Sequence, residues 1–302
     1  MKGTVLITGA AGFMGRHFVR ALKKDFNVVG IDLNEPARDK EGASFYQIDV
    51  QDYPAMEKLV NAFKPEVIVH TAAQKSLLKC EAEPEVSKEL NYGATLNLLD
   101  LAKAHHSHFV FISSDIVFDG KMGNYAEDAT VNPINNYGLF KAEAEKHVLA
   151  YEKGSVCRTA LVFGALEPQD QAAFEGIKNH PQLLNQSYFV DYIKNRLAAK
   201  QETAMPVDEW MNPTSAAQLS AQIKAVIQKK RYGLFHTCGG EQVSRYQFAK
   251  KVAQFYQLDD SFLKETTGTD KIRPLNVTLN YEKSEKALGI KYQSMDEMLA
   301  AL

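Results

Sequence analysis

Cysteine is scarce in this chain: Cys80, Cys157 and Cys238 are the only three among 302 residues. An odd number cannot pair completely within one chain, and these spacings match no zinc-binding or redox motif. We therefore predict neither a disulfide framework nor a metal site, and a reducing compartment such as the cytoplasm fits this usage.

Long apolar runs and an excess of one charge are also missing. No run approaches the ~20 apolar residues of a transmembrane helix, and the apolar stretch that ends at Gly9 is too short for a signal peptide. The formal net charge of −2 gives no electrostatic basis for binding nucleic acid or an anionic membrane. The sequence thus predicts a cytoplasmic protein with neither nucleic-acid nor membrane partners.

Apolar stretches of strand length alternate with helical patterns over the first half of the chain. The predicted strands are residues 4–8, 27–33, 45–50, 66–70, 108–113 and 155–162. The predicted helices are residues 13–24, 54–63, 84–104 and 135–150. This alternation predicts an α/β fold of the Rossmann type, a doubly wound parallel sheet covered by helices on both faces.

The rhythm changes after residue 165. Residues 166–186 are polar and irregular, and most of them form either a surface loop or a segment that closes over a substrate. The further predicted helices are residues 187–200, 213–229, 244–256 and 281–288, with a strand at 232–237. We predict an NAD(P)-binding Rossmann domain at 1–165 with a return strand near 230–240. The remainder, 166–302, is predicted to be mainly a smaller substrate-binding lobe.

A Gly-x-x-Gly-x-x-Gly motif follows the first predicted strand and opens the first predicted helix. Its glycines permit a tight turn and close approach to a pyrophosphate, and the helix N-terminus offers free N–H groups. The alternative is a turn that only packs strand against helix. The predicted cofactor-binding residues here are Gly9, Gly12, Phe13, Met14 and Gly15.

Asp32 lies at the end of the second predicted strand. A carboxylate there accepts hydrogen bonds from both adenosine ribose hydroxyls and repels a 2′-phosphate, which favours NAD(H). Arg38 and Lys40 are near in sequence and would suit a 2′-phosphate, so NADP(H) remains an alternative. A solvated aspartate is the non-functional interpretation.

Tyr137 and Lys141 are four residues apart at the start of a predicted helix and so share one face. A tyrosine hydroxyl has a pKa near ~10, and a neighbouring ammonium favours its ionised form. Such a tyrosine can exchange a proton with a carbonyl or alcohol oxygen. Ser114 follows the fifth predicted strand, whose carboxyl end faces the cofactor crevice. We predict Ser114, Tyr137 and Lys141 as catalytic residues, against the alternative of a surface Tyr–Lys pair.

Taken together, these features resemble the extended short-chain dehydrogenase/reductase family, and within it the dTDP-4-dehydrorhamnose reductases. Residues 112–120, Ile-Ser-Ser-Asp-Ile-Val-Phe-Asp-Gly, are similar to the reductases' Ile-Ser-Thr-Asp-Tyr-Val-Phe-Asp-Gly. Further similar segments are residues 135–141 with Glu145, 158–164, 212–214, 243–249 and 273–274. The resemblance extends over nearly the whole chain.

The resemblance implies further roles. Asp49 and Val50 would touch the adenine, and Asn91 would support the active site. The backbone of Thr71, Ala72 and Ala73 would run beside the cofactor, while Tyr137 and Lys141 would also contact it. Loop capping by Asp49 and packing by Asn91 are the alternatives.

Three departures concern the sugar pocket. Ser114 replaces a threonine, Ile116 replaces a tyrosine, and residues 74–78 replace the reductases' Tyr-Thr-x-Val-Asp. The resemblance therefore leaves the sugar open. Sugar-nucleotide dehydratases carry Asp-Glu after the catalytic hydroxyl residue, and the Asp115-Ile116 found here argues against dehydration.

The predicted function is an NAD(P)H-dependent reductase of a nucleotide-linked 4-keto sugar. One alternative is a sugar-nucleotide epimerase that retains NAD. Another is a non-catalytic regulatory subunit, since the beta subunit of methionine adenosyltransferase resembles the same reductases. A homodimer is an assembly that the sequence leaves open.

Overall fold

The computed structural model describes residues 2–34, 43–171, 175, 188–268 and 271–302. Its strands are β1 Thr4–Thr8, β2 Asn27–Asp32, β3 Ser44–Gln47, β4 Val67–His70, β5 His108–Ser114, β6 Gly154–Thr159, β7 Val162–Phe163, β8 Thr203–Pro206, β9 Trp210–Met211, β10 Thr214–Ser215, β11 Gly233–His236, β12 Val243–Ser244 and β13 Leu263–Thr266. Its α-helices are α1 Phe13–Leu22, α2 Tyr53–Phe63, α3 Leu77–Ala82, α4 Pro84–Lys88, α5 Ala94–Ala104, α6 Asn136–Leu149, α7 Phe189–Ala198, α8 Ala216–Gln228, α9 Arg245–Phe255, α10 Glu282–Leu288 and α11 Met295–Ala300.

Seven strands form one parallel sheet in the order β3-β2-β1-β4-β5-β6-β11. The chain builds outward from β1 in one direction and then, from β4, in the other. Ligands of such sheets bind at the carboxyl ends of the strands where this direction reverses. The predicted doubly wound α/β fold is confirmed, and its crevice lies between β1 and β4.

Both faces of the sheet are buried, which explains why its strands read as apolar runs. Val5, Ile7 and Ile112 point to one face, where α1 and α8 cover them. Leu6 and Phe111 point to the other face, where α2, α5 and α6 cover them. Residues beyond 165 thus complete the sheet, through β11 and α8, and the domain division at 165 stays a prediction.

Two predicted elements are interrupted in the structure. The helix expected at 84–104 consists of α4 and α5 with a π-helical turn, Glu89–Gly93, between them. The strand expected at 155–162 ends at Thr159, and the chain pairs again only at β7, with β10 as its partner. Both interruptions lie next to the crevice.

Some predicted features lie outside the described residues. These are Arg38, Lys40 and most of the segment 169–186. In the described part of the chain, no helix combines the length and apolar character needed to cross a bilayer.

Candidate active site

The glycine turn after β1 is built so that only glycine fits at two positions. Gly9 has a φ of +68°, and a Cβ there would lie 2.9 Å from Thr71 Oγ1. A Cβ on Gly15 would lie 2.1 Å from the Gly9 carbonyl oxygen. Gly12 is the N-cap of α1 and brings no side-chain cap to its N–H groups. Phe13 and Met14 begin this helix, so the turn fits a pyrophosphate at the helix N-terminus.

Asp32 at the end of β2 lies directly beside this turn. Its carboxylate accepts hydrogen bonds from the backbone N–H groups of Ala11 at 3.1 Å and Asn34 at 3.0 Å. A carboxylate has about four acceptor positions, so these two contacts orient it without exhausting it. The predicted ribose-binding carboxylate is therefore fixed next to the predicted pyrophosphate site.

The loop after β4, containing Thr71, Ala72 and Ala73, is anchored on β1. The Thr8 hydroxyl oxygen accepts from the N–H groups of Thr71 and Ala72, both at 3.2 Å. It also lies 2.7 Å from His70 Nδ1. Burial lowers the pKa of His70 to about 3, so its imidazole is neutral. Sequence reasoning missed this anchor, which holds the loop beside the glycine turn.

Asn91 and Asp49 make contacts that match their structural alternatives. Asn91, in the π-helical turn, accepts from the N–H of Gln74 at 2.8 Å and donates to its carbonyl at 3.0 Å. Asp49 accepts from the N–H of Gln51 at 2.9 Å, as a loop cap does, and Val50 is buried in the core. The functional roles predicted for these residues stay predictions.

The three predicted catalytic residues come together at the carboxyl end of β5. Ser114 is the last residue of that strand, and it lies close enough to Tyr137, in the first turn of α6, to lower the pKa of the tyrosine against the effect of burial. Lys141 follows one turn later and is 2% exposed. Its ammonium donates to the Ile112 carbonyl at 2.9 Å and lies 4.4 Å from the centre of the Phe111 ring. Lys141 thus contacts β5 at a residue two positions before Ser114.

The position of Tyr137 depends on where α6 begins. Asn135 is the N-cap of the helix and accepts from the Gly138 N–H at 2.7 Å. Its amide also donates to the Ile272 carbonyl at 2.8 Å, which ties the helix start to the C-terminal part of the chain. The cap therefore fixes the turn that carries Tyr137.

Burial dominates the ionisation of the site. It raises the pKa of Tyr137, and the neighbouring Asp115 adds to this effect. It lowers the pKa of Lys141 to about 8, although the carboxylate of Glu145 opposes the shift. The Tyr–Lys spacing in the sequence predicts a lowered pKa for Tyr137, but the pKa is raised. Burial penalises the phenolate more than the surrounding groups stabilise it.

Asp115 is an acidic group of the site that the sequence prediction did not include. It accepts a hydrogen bond from the Ser114 hydroxyl at 2.8 Å and is buried. Burial raises its pKa to about 7, while the Ser114 hydrogen bond and the charges of Arg273 and Arg245 oppose the shift. Its place next to Ser114 in the sequence was the one available signal.

A buried ion pair lies beneath Ser114. Glu145 of α6 accepts from Arg158 Nη2 at 2.7 Å and Nε at 3.0 Å, and from the Ser113 hydroxyl at 2.5 Å. These bonds join α6 to β5 and β6 just below the site. Glu145 was noted in the sequence as part of a similar segment, but its partner was not foreseen.

A second set of ion pairs joins α1 to the segment after β7. Arg16 donates to the Ala11 carbonyl at 2.7 Å and to Asp170 at 2.5 Å. Arg20 pairs with Glu167. These contacts place a stretch expected to be irregular directly against the helix of the glycine turn.

The fold is that of a Rossmann-type α/β protein, and comparisons with known proteins identify the family. The family described as RmlD substrate binding domain matches residues 1–302, and the chain belongs to it. Methionine adenosyltransferase 2 subunit beta of Rattus norvegicus is 31% identical over 296 residues, covering 95% of this chain and 82% of that protein. A dTDP-4-dehydrorhamnose reductase of Aggregatibacter actinomycetemcomitans is 26% identical over 309 residues, covering 95% and 94%.

A solved structure shares the fold. It is the dTDP-4-dehydrorhamnose reductase of Bacillus anthracis str. Ames in complex with NADP, with a TM-score of 0.83 and 22% identity. The match covers 100% of this chain and 97% of that one. The likeness extends over both halves of the chain, including the strands after residue 165.

Proposed function

We propose that this protein is an NAD(P)H-dependent reductase of a nucleotide-linked 4-keto sugar. The observation that carries the proposal is the clustering of Ser114, Tyr137 and Lys141 at the carboxyl end of β5. This triad opens on the same crevice as the glycine turn. The 26% identity to a bacterial dTDP-4-dehydrorhamnose reductase supports the substrate class.

Each side chain of the site has a separate role in carbonyl reduction. A bound reduced nicotinamide supplies the hydride. The Ser114 hydroxyl, which donates to Asp115 in the structure, turns to donate its hydrogen bond to the carbonyl oxygen, and Tyr137 gives that oxygen its proton. The raised pKa of Tyr137 keeps it protonated at neutral pH, as a proton donor requires. The ammonium of Lys141 stabilises the negative charge that the tyrosine acquires.

The carboxylate of Asp32 favours NAD(H). It is held beside the glycine turn. There it would accept hydrogen bonds from the adenosine ribose hydroxyls of a bound NAD(H) and would repel the 2′-phosphate of NADP(H). Turnover compared with NADH and with NADPH tests this preference, and a strong preference for NADPH would contradict the role given to Asp32.

The decisive experiment is a panel of nucleotide 4-keto sugars assayed by oxidation of NADH and NADPH. Tyr137→Phe should lower turnover roughly 10²–10⁴-fold, because the proton donor is lost, while NADH binding stays largely intact. Tyr151→Phe is the matched control. The Tyr151 hydroxyl donates to the Ser107 carbonyl at 3.0 Å, next to the amino end of β5 and therefore at the opposite end of that strand from Ser114. Near-normal turnover of Tyr137→Phe would contradict the role of Tyr137 as the proton donor.

A regulatory subunit is the second candidate, because the chain is 31% identical to a methionine adenosyltransferase subunit beta over 95% of its length. The presence of Ser114, Tyr137 and Lys141 favours catalysis instead. Co-purification with a methionine adenosyltransferase, together with no turnover on the whole panel, would favour the subunit. An epimerase would carry NAD when purified and need no added reductant.

A further inference from the structure

Thr159, the last residue of β6, carries an unusual hydroxyl group. The residue is 6% exposed, and its Oγ1 has no hydrogen-bond partner in the part of the chain that the structure describes. Buried hydroxyl groups are nearly always paired, so an unpaired one calls for an explanation. A ligand group that bonds to it on binding is one such explanation.

The sheet register places this hydroxyl beside Ser114. Thr159 is the direct partner of Ser114 in the parallel pairing of β6 with β5. Neighbouring strands lie about 4.8 Å apart, and paired residues point to the same face. The preceding pair, Ser113 and Arg158, points to the opposite face, where both side chains bond to Glu145. The Thr159 and Ser114 side chains therefore lie next to each other at the crevice edge.

The order of strands separates Thr159 from the predicted cofactor positions. Asp32 ends β2, Gly9 follows β1 and Thr71 follows β4, so the cofactor path approaches Ser114 on β5 from this side. Thr159 lies on β6, on the far side of Ser114. We expect a substrate whose carbonyl oxygen bonds to Ser114 to bring its neighbouring atoms close to Thr159, whose Oγ1 is shielded from solvent in the structure.

We propose that Thr159 determines substrate specificity by hydrogen bonding to the sugar hydroxyl next to the carbonyl carbon. Two protein hydroxyls one strand spacing apart can each contact one of two oxygens on adjacent sugar carbons, at about 2.8 Å each. This inference rests on the proposed reductase function. A site that bonds a substrate hydroxyl discriminates against analogues that lack it, because its own polar group is then left unpaired.

The test compares Thr159→Val with Thr159→Ser. Valine keeps the branched shape and removes the hydroxyl, whereas serine keeps the hydroxyl. For a 4-keto sugar bearing the adjacent hydroxyl, Thr159→Val should lower kcat/KM roughly 10–100-fold, mainly through KM. Thr159→Ser should stay near wild type, and the affinity for NADH should be unchanged in both variants.

A deoxy substrate lacking the adjacent hydroxyl makes the test specific. With it, wild type and Thr159→Val should have the same kcat/KM. Calorimetric titration of the corresponding nucleotide-sugar alcohol, a readout that needs no turnover, should show the same loss of affinity in Thr159→Val alone. Circular dichroism of both variants checks that they are folded.

Three outcomes overturn the proposal. One is equal kcat/KM of wild type and Thr159→Val on the hydroxylated substrate. Another is loss of NADH affinity in place of sugar affinity, which would make Thr159 a cofactor contact. The third is an equal loss in Thr159→Ser, which a packing role would produce. Wild-type protein inactive on the whole substrate panel would instead refute the proposed function itself, and this inference with it.

Discussion

Burial, more than neighbouring charge, sets the protonation of the side chains in the crevice. It raises the pKa of Tyr137, raises that of Asp115 to about 7 and lowers that of Lys141 to about 8. The charges that oppose these shifts, Arg273 at Asp115 and Glu145 at Lys141, are too weak to reverse them. At neutral pH the tyrosine is therefore a phenol and the lysine is mostly a cation.

The pH dependence of the reductase follows from Lys141. Its pKa of about 8 lies below the ordinary 10.5, so the ammonium is lost as pH rises through about 8. We expect log kcat/KM to fall on the alkaline side from about that pH, as measured by NADH oxidation between pH 6 and 10. Asp115→Asn removes one other group whose pKa lies near neutrality, and Lys75→Gln removes a second lysine whose pKa burial lowers to about 8. Both variants should leave this alkaline limb in place. A profile that stays flat to pH 9.5 would contradict the role of Lys141.

At the level of elements, the Glu145–Arg158 pair fastens α6 to the sheet below the site. Both side chains are buried, and Ser113 adds a further hydrogen bond to the carboxylate. Removing one member of a buried pair leaves the other charge uncompensated, which costs about 3–5 kcal/mol. The helix that carries Tyr137 and Lys141 thus depends on this contact for its position.

We expect Glu145→Gln to lower the free energy of unfolding by about 3–5 kcal/mol, as measured by urea denaturation. The matched control on the same helix is Glu143→Gln, because Glu143 forms an exposed pair with Lys146 at 2.5 Å. Exposed pairs contribute about 0–1 kcal/mol. Similar losses in the two variants would contradict a specific role for the buried pair.

How far the sequence predicted these elements depends on the range of the interactions involved. The strands of the sheet were found because burial on both faces makes them continuous apolar runs. Short elements such as α3 and β8 carry too few residues to show a period. The π-helical turn was missed because Asn91 bonds to Gln74, a contact between residues far apart in sequence.

In the candidate site, too, local features were predicted from the sequence and long-range contacts were not. Ser114, Tyr137 and Lys141 were predicted because their spacing along one helix and one strand end is local information. The pairing of Thr159 with Ser114 and the Arg16–Asp170 ion pair depend on which distant segments the fold brings together. No spacing in the sequence encodes those contacts.

Over the part of the molecule that the structure describes, buried histidines couple stability to pH. Burial lowers the pKa of His70 to about 3 and those of His108 and His236 to about 4, from 6.5 in each case. Below pH 6.5 the unfolded chain protonates these rings while the folded chain does not, so stability falls as pH falls. Asp115 acts in the opposite direction, because its raised pKa makes the folded chain the better proton acceptor below pH 7.

Between pH 6.5 and 5, unfolding lets these three histidines take up protons and makes Asp115 release one, a net uptake of about two protons. His17, whose pKa burial also lowers, adds to this uptake. Each proton corresponds to about 1.4 kcal/mol per pH unit, so the free energy of unfolding should fall by roughly 3 kcal/mol per unit in this window. Urea denaturation at several pH values measures the slope.

Two variants should move this slope in opposite directions. His108→Phe removes one of the three histidines, and the Ser155 hydroxyl that contacts it keeps its hydrogen bond to the Arg231 carbonyl at 2.6 Å. The slope should then decrease by about 1.4 kcal/mol per pH unit. Asp115→Asn removes the opposing group, so its slope should increase by a similar amount. If both variants kept the wild-type slope, buried histidine and aspartic acid would not be the source of the pH dependence.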